Sequence, residues 1–234
     1  MQSRILDPGK DPMGQMLLAF LAGETTAFLE VRSPDFEMAE MTGKILCRTQ
    51  WNPLESMALN ACEGEVLDVG AGSGCHSLWL QSKGIKVTAL DISPGCVTAM
   101  EKRGVQRTLH ASLAELDETR YQTLLLLMNG IGICGSHRGM DRFFKALSRF
   151  LLPGGQLLVD STDLNLLPGY DAKSRGETRF QMVYHNIVGA YFDWLYVDYP
   201  TLEAAARSHG FSCECLHSDE ESGQFLARIF SKRP

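Results

Sequence analysis

Two carboxylates and three alternating glycines are the residues best placed to do chemistry in this chain. Asp68 stands two residues ahead of Gly70 in the run Val66-Leu67-Asp68-Val69-Gly70-Ala71-Gly72-Ser73-Gly74. Asp91 closes Val87-Thr88-Ala89-Leu90-Asp91, 17 residues after Gly74. Glycines at this spacing let the backbone turn sharply and let a ligand approach main-chain atoms without meeting a Cβ. Strand-to-helix turns of this kind often seat a phosphate on the helix N-terminus. A carboxylate beside the turn repels a diphosphate and suits a ligand carrying a cationic amine and sulfonium. The spacing Gly70-x-Gly72-x-Gly74 also departs from the Gly-x-Gly-x-x-Gly dinucleotide fingerprint, and no Gly-Lys-Ser/Thr is present for a P-loop. Asp91, at the tip of the next strand, can accept both hydroxyls of a ribose, and Ile92 after it supplies an apolar wall for a purine.

The surrounding pattern predicts the elements that hold these groups. Glu65–Val69, Lys86–Asp91, Gln106–Leu109, Tyr121–Met128 and Gln156–Asp160 read as strands. Leu124 to Leu127 form an unbroken apolar run, the mark of a strand buried on both faces. Helical spacing at 76–83, 94–103 and 137–152 separates the strands, with Ser93 as N-cap before Pro94. Strands alternating with helices imply a doubly wound, mostly parallel α/β sheet with right-handed crossovers. Residues 1–63 read as an N-terminal helical extension or cap, with helices over 14–23 and 53–62 and a short strand over 26–31. Residues 64–234 form the core, and 161–199 an insertion carrying a β-hairpin around Asn186 to Gly189. A closing hairpin spans 211–217 and 224–230.

Together these residues resemble the class I S-adenosylmethionine-dependent methyltransferases, over roughly Gly64 to Pro234. Val66–Gly74 matches the family's first motif, Thr88–Ile92 its second, and Leu151-Leu152-Pro153-Gly154-Gly155 the turn before its fifth strand. The resemblance implies a seven-stranded Rossmann-like fold with S-adenosylmethionine as cofactor. It implies that Asp68 with Gly70, Ala71, Gly72 and Gly74 holds the methionine part, and Asp91 the ribose. Ser112 and Leu113 stand where the family contacts adenine, although the acidic residue often found there is missing. Asn129 and Gly130 stand where the family lines the methyl group. Asn129 either hydrogen-bonds the substrate or methionine moiety or caps its own loop. Arg48, ahead of the core, is a guanidinium able to pair the methionine carboxylate, or else a surface arginine.

The acceptor is read from what surrounds this frame. Segment 161–199 holds eight aromatic residues, among them Tyr184, Trp194 and Tyr196, and follows the sheet edge where open α/β sheets bind ligands. It is taken as a substrate lid whose rings also suit a sulfonium. Asp160, Asp163, His185 and Asp193 are the candidate bases, unranked by sequence. Asn129-Gly130-Ile131-Gly132 lacks the prolines and aromatic that shape a flipped-base pocket, which disfavours a nucleobase target. A net charge of −6 argues against a general nucleic-acid partner. No apolar run reaches membrane-span length, and 1–12 lacks the apolar centre of a signal peptide. Seven cysteines, an odd number, read as reduced thiols and point to a cytoplasmic location. Cys213, Cys215 and His217 alternate on one strand, without an evident fourth metal ligand. The expected activity is methyl transfer to O, N or S of a small molecule. The alternatives are a protein methyltransferase, a non-catalytic cofactor-binding partner subunit, or a nicotinamide dehydrogenase.

Overall fold

The computed structural model describes residues 5–116, 119–167 and 176–231. Ahead of the glycine loop lie α1 (Pro12–Leu21), β1 (Phe28–Arg32), β2 (Ala39–Thr42), α2 (Gly43–Leu46) and α3 (Pro53–Asn60). Asp11 caps α1 by accepting the Gly14 N–H, and Asn52 with Glu55 forms a reciprocal capping box on α3. The alternating core follows: β3 (Val66–Val69), α4 (Cys75–Ser82), β4 (Val87–Asp91), α5 (Pro94–Arg103) and β5 (Thr108–His110). It continues through β6 (Tyr121–Leu126), α6 (His137–Leu147) and β7 (Leu151–Thr162). Then come β8 (Glu177–Tyr184), β9 (Ile187–Val188), β10 (Phe192–Leu195), α7 (Tyr199–Ser208), β11 (Phe211–Ser218) and β12 (Gln224–Ser231).

The large sheet has seven strands in the order β11-β12-β7-β6-β3-β4-β5. From β7 to β5 neighbours run parallel, while β12 is antiparallel to both of its neighbours. Leu124, Leu125 and Leu126 of β6 are fully buried, as a strand covered on both faces requires. Leu124 faces Phe143, Phe144 and Leu147 of α6, while Leu125 faces Leu54, Leu59 and Leu80 on α3 and α4. Each such side chain contributes about 1.5–3 kcal/mol of burial free energy. The chain passes from β3 to β4 on one side and reaches β6 on the other. The carboxyl ends of β3 and β6 therefore flank the crevice where such sheets take ligands.

A second sheet takes in the strand expected over 26–31 and adds one that was not expected, residues 39–42. Its order is β10-β8-β1-β2, with β1 antiparallel to β8 through Glu30↔Val183 and β10 antiparallel to β8 through Phe192↔Phe180. Residues 28–32 and 39–42 are strands because their backbone groups pair within this sheet, so the extension and the insertion build one structure. The expected hairpin is present, but its turn is at His185 and Asn186, with His185 at φ +51°, and Ile187–Val188 of the expected turn form β9, paired with β8. Thr178, Phe180, Met182 and Tyr184 share one face of β8. At one end that face packs on Met16 and Leu17 of α1, together with Leu29, Val31 and Met41.

Residues 168–175, including Tyr170 of the expected lid, lie outside the described residues. The pairing of β11 with β12 shifts between Cys215 and His217, so Cys213, Cys215 and His217 do not keep one alternating face. Among the described residues no group of three Cys, His, Asp or Glu side chains is placed to hold a metal ion. None of the described helices is long and apolar enough to cross a membrane.

Candidate active site

The glycine loop is tied to the strand beside it. Gly70, Gly72 and Gly74 have φ of +72°, +58° and +74°, values an L side chain adopts only under strain. The N–H groups of Gly70 and Ala71 both donate to the Leu90 carbonyl, at 2.8 and 3.0 Å. Gly72 N–H donates to Asp91 Oδ2 at 2.8 Å, and Ser93 N–H to Asp91 Oδ1 at 2.9 Å. A Cβ placed on Gly70 would meet no atom within 4 Å, so the loop presents open backbone there. Asp91 is 8% exposed, and burial pushes its carboxyl up to about 6 against the two backbone donors. A carboxylate offers about four lone-pair positions, so two remain for further donors. Ser112 and Leu113 are buried just beyond β5, and the Ala111 N–H bond to the Asp91 carbonyl brings them back to that carboxylate. The Ile92 carbonyl accepts from His110 Nε2 at 3.1 Å.

Asp68 lies beneath the loop, 2% exposed, and its Oδ2 accepts from Ser77 Oγ at 2.6 Å. Burial raises its carboxyl above the ordinary range.

The turn after β6 is the most strained part of the site. Met128 and Asn129 both adopt left-handed conformations, with φ of +66° and +59°, uncommon for residues other than glycine. Gly130 N–H donates to Asp160 Oδ1 at 2.7 Å, anchoring the turn to β7. The Asn129 amide donates to the Leu195 carbonyl at 3.1 Å and accepts from Ser161 Oγ at 3.2 Å. Of the two roles expected for Asn129, fixing its loop is the one this geometry displays: it pins the turn to the insertion. Asp160 is 7% exposed, and burial lifts it to about 6 while backbone donors oppose the shift.

Beside this turn sits a buried charge cluster that the sequence concealed. Glu55 is 3% exposed and accepts from Arg48 Nη2, from His76 Nε2 at 2.9 Å and from the Asn52 N–H at 3.2 Å. Its own burial favours the neutral form, but the His76 bond and the Arg48 charge outweigh that and hold the carboxyl below its ordinary value. The His76 ring packs on Trp51 at 5.0 Å, and the Arg48 guanidinium lies 5.7 Å from the same indole. Arg48 Nη1 reaches the Ile45 carbonyl at 2.7 Å and the sulfur of Met128 at 4.0 Å. Arg48 is thus a partly buried arginine with a protein carboxylate as its partner, at the edge of the turn after β6. Asn52-x-x-Glu55 before an apolar stretch was the one available signal for Glu55.

The insertion gathers rings over the same turn. Phe180 lies 6.2 Å from Phe192 and 6.4 Å from Tyr196, and Phe192 lies 5.9 Å from Trp194. Phe36 of the extension stacks 6.0 Å from Phe180. The indole of Trp194 occupies the space a Cβ on Gly132 would need, so the ring lies directly on the chain after β6. Trp194 and Tyr196 therefore join one half-buried cluster. Tyr184 stands apart at the α1 end of the face, where its hydroxyl donates to Glu24 at 3.1 Å. Among the expected bases, Asp163 accepts the Asn165 N–H, Asp193 pairs with Arg179 at 3.1 Å, and His185 lies 3.6 Å from Glu24. Asp160 alone of the four is buried.

A parallel sheet ending in an antiparallel strand, with open glycine backbone and a buried carboxylate at the tip of the neighbouring strand, defines the class I methyltransferase architecture. Residues 66–155 match the family model described as a methyltransferase domain. The crystal structure of an S-adenosylmethionine-dependent methyltransferase from Bacteroides fragilis, in complex with S-adenosylhomocysteine, is similar with a TM-score of 0.93 and 40% identity; the match covers 99% of this chain and 100% of that one. An uncharacterized methyltransferase of Emericella nidulans is 27% identical over 146 residues, 53% of this chain and 51% of that protein. The cypemycin N-terminal methyltransferase of a Streptomyces species is 26% identical over 102 residues, 42% of each protein. The chain spans about half the length of these curated relatives. It belongs to the class I S-adenosylmethionine-dependent methyltransferases, and S-adenosylmethionine is its cofactor.

Proposed function

We propose that this chain transfers the methyl group of S-adenosylmethionine to an O, N or S atom of a small-molecule acceptor held beneath the second sheet. One observation carries the reading: a single face of that sheet is covered by α1 at one end and by the aromatic cluster at the other. The α1 end reaches the glycine loop, where the Met13 side chain lies 3.3 Å from a Cβ position on Gly72. The aromatic end rests on the turn after β6 through Trp194 and Gly132. The chain so roofs its own crevice, which favours an acceptor small enough to enter beneath that roof.

The cofactor supplies an electrophilic methyl group on a sulfonium. Asp68 and the backbone of Gly70, Ala71, Gly72 and Gly74 hold its methionine part, Asp91 holds the ribose, and Ile92, Ser112 and Leu113 border the adenine. Gly130 and the pinned turn line the methyl position, while Trp194 and Tyr196 bound the acceptor. In-line displacement depends chiefly on alignment, which the fixed turn provides, and on excluding water, which the aromatic roof provides. Asp160, the one buried carboxylate among the expected bases and anchored at the turn after β6, is the proton acceptor for substrates that must lose a proton. Incubation with methyl-labelled cofactor and separated metabolite and protein fractions tests the proposal. Label entering small molecules supports it. Label confined to protein, or cofactor binding without transfer, would overturn it.

A further inference from the structure

We infer that Asp11 is a positioning residue for the cofactor: it latches α1 and the short 3-10 turn before it (Pro8–Lys10) across the ribose side of the crevice, so cofactor and product exchange only when the latch opens. This rests on the reading of Asp91 as the ribose partner. Asp11 is fully buried although its side chain is polar. Its Oδ2 accepts from Ser93 Oγ at 2.6 Å and from the Gly95 N–H at 2.9 Å, while Oδ1 accepts the Gly14 N–H at 3.0 Å. One carboxylate thereby caps α1 and grips the first turn of α5. Ser93 also donates its N–H to Asp91, so a single residue separates the latch from the ribose carboxylate.

The two helices meet without side chains between them. A Cβ on Gly14 would lie 2.6 Å from the Gly95 Cα, and one on Gly95 the same distance from the Gly14 Cα. Upstream, the Leu6 N–H donates to the Ile92 carbonyl at 2.9 Å. Downstream, Met13 lies against Gly72. Residues 6–13 therefore run from the purine wall at the tip of β4 to the glycine loop, across the span a nucleoside must occupy. A helix capped only by its own aspartate would need neither the α5 bonds nor the glycine crossing.

Stopped-flow tryptophan fluorescence with S-adenosylhomocysteine, on the full chain, measures the association and dissociation rates of wild type, Asp11→Asn, Ser93→Ala and Asp91→Asn. Losing a charge-assisted hydrogen bond corresponds to about a tenfold change. Asp11→Asn is expected to raise both rates about tenfold, and Ser93→Ala to raise both by a smaller factor while keeping the α1 cap. A faster association is the readout that simple destabilisation does not produce. A fall in melting temperature with both rates unchanged in Ser93→Ala, or in a folded Asp11→Asn, would overturn the latch. Wild-type affinity in Asp91→Asn would overturn the ribose assignment instead, and the rates of the other two variants would still decide the latch.

Discussion

Asp91 holds the shape of the glycine loop: its Oδ2 accepts the Gly72 N–H at 2.8 Å across 19 residues of sequence. The residue proposed to meet the ribose is therefore also a strut of the loop proposed to meet the methionine. Replacing Asp91 by Asn removes the charge and turns one acceptor into a donor facing the Gly72 or Ser93 N–H. The KM for S-adenosylmethionine is expected to rise about ten- to hundredfold, the span of a lost charge-assisted bond. Steady-state kinetics at saturating acceptor measures it, and an unchanged KM counts against the assignment.

A pH dependence follows from the two buried carboxylates. Asp91 and Asp160 are each raised by burial from 3.8 to about 6. Between these values the folded chain binds more protons than the unfolded one, so their contribution to stability is present at low pH and declines as pH rises through about 6. The cationic cofactor favours their charged forms and reverses that trend. The rise in melting temperature produced by S-adenosylmethionine is expected to grow between pH 5 and pH 7, where Asp91 and Asp160 ionise. Thermal melts with and without cofactor across this interval report it; a rise that shrinks with pH is the contrary result.

Glu55 is the hub of a buried cluster, 3% exposed with Arg48 and His76 on it. Removing one member of a buried charged group leaves the others unpaired and costs about 3–5 kcal/mol. Glu55→Ala is expected to lose stability on that scale in urea unfolding, with the midpoint shifted and the slope retained. A loss below about 1 kcal/mol would match an exposed pair and contradict the buried arrangement.

Trp194 covers Gly132 so closely that no side chain fits between them. Gly132→Ala forces the indole outward, an overpacking cost of about 1–3 kcal/mol. The expected signature is red-shifted tryptophan emission with S-adenosylhomocysteine affinity retained, because the proposal puts these rings at the acceptor end. Unaltered emission would place the insertion elsewhere.

Much of the frame was legible because it is periodic or capped. Leu124 to Leu127 signalled the buried strand, Ser93-Pro94 marked the start of α5 at its observed residue, and the glycine run marked the turn between β3 and α4. The second sheet was not legible. Residues 39–42 read Ala-Glu-Met-Thr, an edge strand too short to show a period, and β1 finds its partner β8 some 150 residues later. Asp11 was not singled out in the sequence, and nothing there announced Ser93 and Gly95 as its distant partners. Arg48 could be read as a ligand-binding cation because Glu55 sits on a different local pattern, and only folding brings the two together. Tyr184 shares a strand face with Phe180, yet the face is long enough for α1 to take one end and the aromatic cluster the other.

The account turns on a crevice whose negative strand tips welcome a cationic thioether donor and repel a diphosphate. Calorimetric titration of the full chain with S-adenosylmethionine and, separately, with NADH tests this most directly. Saturable one-to-one binding of S-adenosylmethionine with no heat from NADH is the predicted result. Saturable NADH binding in the absence of any for S-adenosylmethionine would contradict it.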